Sequence, residues 1–422
     1  MVLCPEIKGQ RHDLDGKGRL DEACGLALAI GLQIVEASLL PVRSVRANTL
    51  FGSGQVERIA ADCELHSAEL VVVDGALSAI QQRNLEEKLG RKVIDRTGLI
   101  LEIFGERAAT AEGRLQVELA HLDYQQSRLV RSWTHLERQR GGFGFLGGPG
   151  ETQIEADRRM IRQRMGRLRR ELEQVRKTRK LHRGRREKAP WPVIALVGYT
   201  NAGKSSLFNR LTGSDVMAED LLFATLDPTM RAIGLPGIEK AILSDTVGFI
   251  SDLPTQLVAA FRATLEEVTS ADLILHVRDM ANAAHSAQKK QVMAVLADLG
   301  IVDLQSGESS IPILEVWNKI DLLAPEEAQE LDRVCRERED AVAISAVTGE
   351  GIEPLLDRVS QMLTGEAREF ELLLPASDGR RIAWLHAHGE VISDEESTGT
   401  GEALRKLVVR LNPKEFGQFR SL

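Results

Sequence analysis

The chain has 422 residues, a formal net charge of −8 and a hydrophobic content of 43%. Its length supports two to four domains with real hydrophobic cores. No apolar run is long enough to span a membrane and residues 1–10 contain no secretory signal. We therefore expect a cytoplasmic protein without stable membrane insertion, and peripheral contact with a membrane stays open. The four cysteines are scattered without a C-x-x-C pair, which argues against a zinc site or a disulfide framework and fits a reducing cytoplasm.

Residues 1–107 alternate strand-like and helix-like segments, which predicts a small N-terminal α/β subdomain. The predicted strands are residues 32–40, 70–73 and 92–94. The predicted helices are residues 55–63 and 78–89.

Residues 108–189 predict two long helices joined by a glycine-rich tip. Apolar residues recur at spacings of three and four, as in a coiled coil. The first seam comprises Leu115, Leu119, Leu122, the polar Gln126, Leu129, Trp133 and Leu136, and the second comprises Ile161, Met165, Leu168, Leu172 and Val175. Six of the ten residues at 141–150 are glycine. An antiparallel hairpin with about 30 residues per helix would hold this tip roughly 45 Å from its base.

The second helix of this hairpin is strongly basic. Residues 158–188 contain 15 lysines and arginines against three acidic residues, although the whole chain is acidic. Most charge runs are simply solvated helix faces, but this density of one sign favours contact with a nucleic acid. The tip adds Phe143, Phe145 and Leu146 among its glycines, which suits stacking on unpaired RNA bases. Residues 183–192 predict the linker to the next domain.

Residues 190–365 predict a parallel sheet with helices on both faces, and residues 366–422 predict a small α/β C-terminal domain. Buried strands are expected at residues 193–197, 241–243, 273–277 and 313–316. In the C-terminal domain we predict strands at 369–374 and 407–411, a helix at 380–387 and an acidic, glycine-rich loop at 393–401.

Four short motifs in the third region indicate chemistry. Gly-Tyr-Thr-Asn-Ala-Gly-Lys-Ser at 198–205 fits the phosphate-binding pattern G-x-x-x-x-G-K-[ST] between a predicted strand and a predicted helix. Asp-Thr-Val-Gly follows at 245–248, Asn-Lys-Ile-Asp at 318–321 and Ser-Ala-Val at 345–347. The phosphate-binding pattern alone is weak evidence, but the four motifs in this order predict a GTPase.

The first two motifs supply groups for phosphate and metal. Gly198 and Gly203 allow a tight turn whose N–H groups face the phosphates, and the following helix adds its positive N-terminal dipole. Lys204 would reach the β- and γ-phosphates, and the hydroxyl of Ser205 would bind Mg²⁺. Asp245 should lie near the metal, and the N–H of Gly248 could reach the γ-phosphate and act in a nucleotide-state switch.

The last two motifs supply the guanine pocket. Asp321 can accept hydrogen bonds from both N1–H and N2–H₂ of guanine, a donor pair that adenine lacks. Asn318 and Lys319 would brace the pocket, and Ala346 would offer its N–H to the guanine O6. The alternative of a P-loop ATPase is disfavoured by Asp321. The predicted contacts with GTP or GDP are Gly198, Tyr199, Thr200, Asn201, Ala202, Gly203, Lys204, Ser205, Ser206, Phe223, Ala224, Thr225, Leu226, Asp227, Asp245, Thr246, Val247, Gly248, Asn318, Lys319, Ile320, Asp321, Ser345, Ala346 and Val347.

In several longer segments, the chain resembles the HflX family of ribosome-associated GTPases. The resemblance rests on the segment from Arg140 through the glycine-rich tip to Glu151-Thr-Gln, on Val-Ile-Asp-Arg-Thr-Gly at 93–98 and on Trp-Thr-His-Leu-Glu-Arg at 133–138. It also rests on Phe-Ala-Thr-Leu-Asp-Pro-Thr at 223–229 and on Asp-Thr-Val-Gly-Phe-Ile at 245–250. It covers nearly the whole chain.

The resemblance implies an α/β fold: a P-loop GTPase domain with an N-terminal α/β subdomain, a long antiparallel helical hairpin and a small α/β C-terminal domain. It implies binding to the 50S subunit and the 70S ribosome, with the tip near the peptidyl-transferase region of 23S rRNA. GTP-bound protein would separate stalled or stress-inactivated ribosomes into subunits, and hydrolysis would reset it. Thr225 would contact Mg²⁺ and the γ-phosphate, and Asn201 would help to bind K⁺. We expect a monomer.

Other classes fit less well. A tRNA-modifying GTPase of the MnmE type needs a reactive cysteine near the C-terminus, and this chain ends in Phe-Arg-Ser-Leu. An Obg-type protein carries its glycine-rich domain at the N-terminus, and a signal-recognition GTPase has different motifs. An RNA-binding protein that uses nucleotide only as a structural ligand stays open, and turnover distinguishes it.

Hydrolysis is expected to be slow without the ribosome. Many GTPases place Gln after Asp-x-x-Gly to orient the attacking water, and this chain has Phe249 there. The water must then be positioned by backbone, by another switch residue, by a monovalent cation beside Asn201 or by ribosomal RNA. Phe249 could instead simply pack against the sheet.

Overall fold

The computed structural model describes residues 1–10, 14–139, 153–186, 191–214, 222–223, 229–251, 267–364, 368–398, 403–411 and 419. These residues form three sheets with helices around them. The glycine-rich tip at 141–150 lies outside them, as does most of the segment 215–228.

The first sheet forms the N-terminal α/β subdomain. Its strands are β1 (Val2–Ile7), β2 (Ala37–Val42), β3 (Leu70–Val73) and β4 (Lys92–Asp95), in the order β2-β1-β3-β4 and all parallel. The helices that connect and follow them are α1 (Gly16–Ala29), α2 (Ser53–Leu65), α3 (Ala79–Leu89) and α4 (Arg96–Arg107). Asp15, Ser78 and Asp95 cap α1, α3 and α4 through hydrogen bonds from backbone N–H groups, which fixes where these helices begin.

The sequence analysis missed β1, α1 and α4, and it started the second strand too early. Residues 32–36 do not belong to a strand. Gly31 has φ +70° and the N–H of Leu32 donates to the oxygen of Ala27, so this part of the chain closes the end of α1. Hydrophobicity alone could not separate this helix-closing turn from the strand that follows.

The predicted helical hairpin is present as α5 (Ala111–Gln139) and α6 (Gln153–Arg186). Met165, Leu168 and Leu172 of the predicted second seam are buried, and Arg164 of α6 pairs with Glu118 of α5 at 2.7 Å. α6 continues through residues 183–186, so these residues are helical and not the start of a linker, as the sequence analysis had predicted. Three of the four residues are arginines, which favour the helix, and the single Gly184 does not end it.

The base of α5 rests on the N-terminal subdomain. Tyr124 donates to Oδ1 of Asp95 at 2.6 Å, and Arg128 forms an ion pair with Oδ2 of the same residue at 2.7 Å. Val117 and Ala120 are buried in a core that also contains residues of α1 and α4. Residues on both sides of the predicted boundary at 107/108 therefore pack in one core. The division into four domains stays a prediction.

The second sheet is that of the predicted P-loop GTPase domain. Its strands are β5 (Val193–Gly198), β6 (Thr229–Leu235), β7 (Ile238–Asp245), β8 (Leu273–Asp279), β9 (Ile313–Asn318) and β10 (Ala341–Ala343), in the order β10-β9-β8-β5-β7-β6. The helices are α7 (Lys204–Thr212), α8 (His285–Asp298), α9 (Pro325–Arg336) and α10 (Ile352–Thr364). The sheet is not wholly parallel as predicted, because β6 and β7 form an antiparallel hairpin whose turn contains Gly237 at φ +73°.

The third sheet is the C-terminal one, with β11 (Arg368–Pro375), β12 (Glu390–Thr398) and β13 (Ala403–Leu411) in the antiparallel order β11-β13-β12, covered by α11 (Gly379–His388). The acidic loop predicted at 393–401 is wrong for residues 393–398, which belong to β12. Asp394 pairs with Arg405 of β13 at 2.8 Å, and such cross-strand charge pairs offset the weak strand propensity of acidic residues.

These elements confirm the predicted fold class: a P-loop GTPase domain with an N-terminal α/β subdomain, a long antiparallel helical hairpin and a small α/β C-terminal domain. One hydrophobic core joins the first two sheets, since it contains Leu26 and Phe104 of the N-terminal subdomain together with Val197, Val247 and Phe249. Within the described residues no helix is both long enough and apolar enough to cross a membrane.

Candidate functional site

The candidate site is built at the end of β5, where the chain turns into α7. Gly198 ends the strand, and a side chain there would overlap the carbonyl oxygen of Val277 in β8. Gly203 precedes α7 in a left-handed conformation, with φ +93°, and a side chain there would overlap Nδ2 of Asn318. Both positions require glycine because neighbouring strands and motifs approach the backbone closely. The loop between them ends at a helix N-terminus, which is suited to bind an anion.

Lys204 lies inside this loop. It is 6% exposed, and its Nζ donates to the carbonyl oxygen of Tyr199 at 2.7 Å. Burial lowers the pKa of Lys204 to about 8, and the carboxylate of Asp245 only partly offsets this effect. An anionic ligand in the loop would stabilise the charged ammonium, so the site favours a phosphate.

Ser205 and Asp245 bring two oxygen ligands together. Asp245 is the last residue of β7 and is fully buried, and the hydroxyl of Ser205 donates to its Oδ2 at 2.9 Å. The next residue, Thr246, donates to the carbonyl oxygen of Leu196 at 2.5 Å, which ties the Asp-x-x-Gly segment to β5.

The residues after the Asp-x-x-Gly motif lie beside the phosphate-binding loop, parallel to it. Phe249 N–H donates to the oxygen of Gly198 at 3.1 Å, and the N–H of Thr200 donates to the oxygen of Phe249 at 2.8 Å. A Cβ added to Gly248 would lie 2.9 Å from Cα of Thr200 and 3.0 Å from Nζ of Lys204. Phe249 itself is 3% exposed, and its side chain packs in the shared core, as the simpler interpretation of this residue had it.

The candidate guanine pocket is held to this loop by Asn318. Its Nδ2 donates to the oxygen of Ala202 at 2.8 Å, and its Oδ1 accepts from the N–H of Ala346 at 2.9 Å. The Ala346 N–H is thus already engaged, and its predicted contact with the guanine O6 stays a prediction. Lys319 adopts a left-handed conformation, φ +68°, and its Nζ pairs with Asp279 at 2.9 Å.

Asp321 lies in a short 3-10 helix, Ile320–Leu322, and is exposed. Ser345 is fully buried and its hydroxyl accepts from the N–H of Thr348 at 3.1 Å, whereas Val347 is 72% exposed. The structure therefore brings the Asn-Lys-Ile-Asp and Ser-Ala-Val motifs together beside the phosphate-binding loop.

The predicted switch segment at 223–227 is described only at Phe223. This residue is buried with φ +59°, and its ring lies 4.8 Å from that of Phe104 in α4, edge-on at 83°. Ala224, Thr225, Leu226 and Asp227 lie outside the described residues. Among the described residues, no group of three or more His, Cys, Asp or Glu side chains could hold a metal ion.

Sequence reasoning missed several residues around the site. Glu22 accepts hydrogen bonds from the hydroxyls of Tyr199 and Ser251, and Arg96 contacts both Glu22 and Ser251. Arg210 donates to the oxygen of Ala346 at 3.1 Å. They are distant in sequence and fit no phosphate or guanine motif. The one available signal was Val-Ile-Asp-Arg-Thr-Gly at 93–98, which contains Arg96 and resembles the family signature.

Family models match four consecutive parts of the chain. They describe a GTP-binding GTPase N-terminal region at residues 17–105, a GTP-binding GTPase middle region at 107–186, a 50S ribosome-binding GTPase at 193–319 and an HflX C-terminal domain at 330–418. Among solved structures, a GTP-binding protein from the archaeon Sulfolobus solfataricus in complex with GDP is 25% identical. The match covers 86% of this chain and 98% of that one, with a TM-score of 0.45.

Curated relatives share most of the chain's length. The GTPase HflX of Magnetococcus marinus is 51% identical over 401 residues, which cover 95% of this chain and 90% of that protein. The GTPase HflX of Escherichia coli is 45% identical over 371 residues, which cover 88% and 84%. The chain is a guanine-nucleotide-binding GTP hydrolase and belongs to the HflX family of GTPases.

Proposed function

We propose that this GTPase binds the 50S subunit and the 70S ribosome and promotes the dissociation of stalled or stress-inactivated ribosomes into subunits. GTP hydrolysis resets the protein after each cycle. The glycine-rich tip at 141–150 approaches 23S rRNA near the peptidyl-transferase region. The protein acts as a monomer in this scheme.

The observation that carries this proposal is the basic surface of α6. This helix has 34 residues, so it extends about 50 Å. Its apolar side packs against α5, while arginines such as Arg162, Arg167 and Arg169 are exposed. A long helix with an exposed row of arginines fits the phosphate backbone of a large RNA better than it fits a small ligand. The match of residues 193–319 to a family described as a 50S ribosome-binding GTPase supports the same partner.

We propose that the predicted site residues bind GTP in the roles that the sequence suggests. Lys204 and the N–H of Gly248 stabilise the charge of the γ-phosphate, and Asp321 accepts hydrogen bonds from guanine. The closeness of Gly248 to Lys204 supports a shared phosphate between them. Thr225 would join them from the switch segment.

The residues present fit a Mg²⁺ ion. Magnesium prefers oxygen ligands, needs few of them from the protein and retains several waters. The Ser205 hydroxyl and the buried Asp245 carboxylate form such an oxygen pair beside Lys204. Ser205 and Thr225 would hold the ion, which supplies charge neutralisation of the phosphates. For K⁺, Asn201 at φ +58° is exposed in the middle of the loop and available for the proposed cation.

The decisive test follows ribosomes on a sucrose gradient. The full-length protein is incubated with 70S particles and with GTP, GDP or a non-hydrolysable GTP analogue, and the subunits are quantified. A second variant replaces residues 141–150 by a Gly/Ser loop of equal length. We expect splitting with GTP and its analogue, no splitting with GDP, and normal GTP binding without splitting for the replaced tip.

If the variant with the replaced tip splits ribosomes at the parental rate, the tip is only a connector. Absence of any association with 50S particles would refute the ribosomal role.

A separate assay compares the rate of GTP hydrolysis with and without ribosomes, and in K⁺ against Na⁺. Because the Phe249 side chain is buried and cannot orient water, we expect ribosomes or K⁺ to raise the rate. A rate indifferent to both would contradict an external source of water positioning.

A further inference from the structure

A buried polar cluster joins the N-terminal subdomain to the nucleotide site. We call it the clamp: Glu22 of α1, Arg96 of α4, Tyr199 of the phosphate-binding loop and Ser251, three residues after Gly248. The Tyr199 hydroxyl donates to Oε2 of Glu22, and the Ser251 hydroxyl donates to Oε1 of Glu22 at 2.6 Å. Arg96 donates to the carbonyl oxygen of Ser251 at 2.8 Å and to its Oγ at 3.0 Å, and it also pairs with Glu22.

The clamp is shielded from water. The side chains of Glu22 and Arg96 are 6% and 7% exposed, and Tyr199 and Ser251 are buried. A second carboxylate, Asp74, pairs with Arg96 at 2.5 Å and with Arg19 at 3.0 Å, so two guanidinium groups face two carboxylates. Hydrogen bonds to charged groups in such surroundings are stronger than exposed ones, and their loss leaves a buried group without its partner.

Two clamp residues belong to segments that handle phosphate. The carbonyl oxygen of Tyr199 accepts from Nζ of Lys204. Ser251 follows the backbone pairing between Phe249 and the phosphate-binding loop. Glu22 therefore contacts both segments, in addition to the backbone hydrogen bonds that join Phe249 to Gly198 and Thr200. Lys204 and Gly248 are the two groups that would share the γ-phosphate.

The same subdomain also touches the segment before Thr225. Phe104 of α4 packs edge-on against Phe223, and a Cβ added to Gly25 of α1 would lie 3.0 Å from Cδ1 of Leu222. The phosphate-binding loop, the Asp-x-x-Gly segment and the start of the switch segment therefore all rest on α1 or α4.

We propose that Glu22 and Arg96 are positioning residues of the GTPase: through Tyr199 and Ser251 they hold the phosphate-binding loop and the Asp-x-x-Gly segment in the arrangement that accepts the γ-phosphate. The clamp then discriminates GTP from GDP, because only GTP uses the contact with Gly248. This inference depends on GTP hydrolysis by this chain and not on a ribosomal partner.

The test compares two matched tyrosine variants in the full-length protein. Tyr199→Phe removes the hydroxyl that reaches Glu22, and the control Tyr124→Phe removes a hydroxyl that reaches Asp95 at 2.6 Å without touching the GTPase domain. The affinities for GDP and for a non-hydrolysable GTP analogue are measured together with kcat and KM without ribosomes. For Tyr199→Phe we expect about tenfold weaker binding of the analogue, a lower kcat and GDP affinity within about threefold of the parent. Tyr124→Phe should keep the parental ratio of affinities.

Glu22→Gln and Ser251→Ala alter two other members of the clamp. Both should also weaken binding of the GTP analogue more than binding of GDP. The double variant Glu22→Gln/Tyr199→Phe should lose less than the sum of the two single losses, because both changes act on the contact between Tyr199 and Glu22. Ser251→Thr retains the hydroxyl and should restore the parental ratio. If circular dichroism shows that Glu22→Gln is unfolded, the ratio of affinities of Ser251→Ala still tests the proposal. Equal losses for both nucleotides, additive effects, or an unchanged ratio would overturn the proposal and leave the clamp as interdomain packing.

Discussion

Single residues in this site do more than contact a ligand, because several of them join one motif to another. Asn318 is the clearest case. Its amide binds the phosphate-binding loop through Ala202 and the last motif through Ala346, so it sets the distance between the proposed phosphate and guanine parts of the site. Gly203 allows this approach, since any side chain at that position would overlap Asn318.

Replacing Gly203 by alanine should therefore disrupt nucleotide binding. The added Cβ would meet Nδ2 of Asn318 and would also strain a backbone at φ +93°. Gly213 is the matched control, because it has φ +64° and nothing within 4 Å of an added Cβ. We expect Gly213→Ala to cost about 1–2 kcal/mol of stability with little change in GTP affinity, and Gly203→Ala to lose binding as well. Calorimetric titration with GDP measures the loss of binding, and thermal unfolding measures the loss of stability. Equal GDP affinities in both variants would contradict this role of Gly203.

Asp321→Asn should change the base that the protein prefers. The replacement turns one acceptor into a donor, which repels the N2–H₂ of guanine and suits the O2 of xanthine. We expect GTP to bind at least about a hundredfold more weakly and xanthosine triphosphate to bind more tightly. Asp332→Asn, on the exposed face of α9, is the control and should leave both affinities unchanged. Equal affinity of the parent protein for GTP and ATP would remove the basis of this assignment.

At the scale of single elements, β8 contains an unusual buried histidine. His276 is 1% exposed, and its Nδ1 makes no hydrogen bond within the described residues. Burial lowers the pKa of His276 to about 3, with Glu315 opposing this effect and Arg278, Lys289 and Lys204 adding to it. The histidine is thus neutral in the folded protein and protonated in the unfolded chain below about pH 6.5.

This difference predicts an acid sensitivity that a single substitution should reduce. Between about pH 6.5 and pH 3 the unfolded chain binds one more proton than the folded protein, so stability falls as the pH falls. From pH 7 to pH 5 this histidine should cost about 2 kcal/mol. Glu315, whose pKa is lowered to about 2 by Lys289, Trp317 and Arg278 against the effect of burial, loses its contribution only at lower pH.

Urea unfolding of the parent and of His276→Gln at both pH values measures the effect. The variant should lose about 2 kcal/mol less than the parent between pH 7 and pH 5. Ser244→Ala, which removes a buried polar group of β7 without removing a titratable one, serves as the control and should show the parental pH dependence. Identical pH dependence in parent and His276→Gln would show that His276 does not set the acid sensitivity.

At the scale of the whole molecule, the basic helix α6 and the nucleotide site belong to one packed body. The base of α5 shares a core with α1 and α4, and that core continues into β5 and the Asp-x-x-Gly segment. A continuous core of this kind transmits small displacements better than a flexible linker does. The proposed ribosome contact on the hairpin and the state of the nucleotide are therefore expected to influence each other.

Neutralising exposed arginines of α6 should weaken ribosome binding in a salt-dependent way. For Arg162→Gln/Arg167→Gln/Arg169→Gln we expect lower 50S affinity and a shallower dependence of log K on log salt, by about one unit for each lost phosphate contact. Arg333→Gln/Arg336→Gln on α9 removes exposed arginines that already pair with acidic residues, and it should change neither quantity. Co-sedimentation at several salt concentrations gives the slopes, and an unchanged slope would exclude α6 as the RNA contact.

The sequence by itself determined the fold class, the family and the helical hairpin. Each of these depends on local patterns: glycines and a lysine at fixed spacing, seams at helical spacing, and an Asn-Lys-Ile-Asp motif whose side chains match guanine. The strand predicted at 70–73 matched β3, and residues 78–89 matched α3, because apolar runs and a capping Ser78 mark them clearly.

The tertiary structure alone decided how the parts meet. The antiparallel β6, the strand β12 and the early elements β1 and α1 depend on pairing and packing partners far along the chain. The clamp does so most of all, because Glu22, Arg96, Tyr199 and Ser251 come from four separate segments and none has a partner nearby in sequence. Burial converts these ordinary polar residues into strong mutual contacts, and burial is a property of the folded chain that local sequence cannot specify.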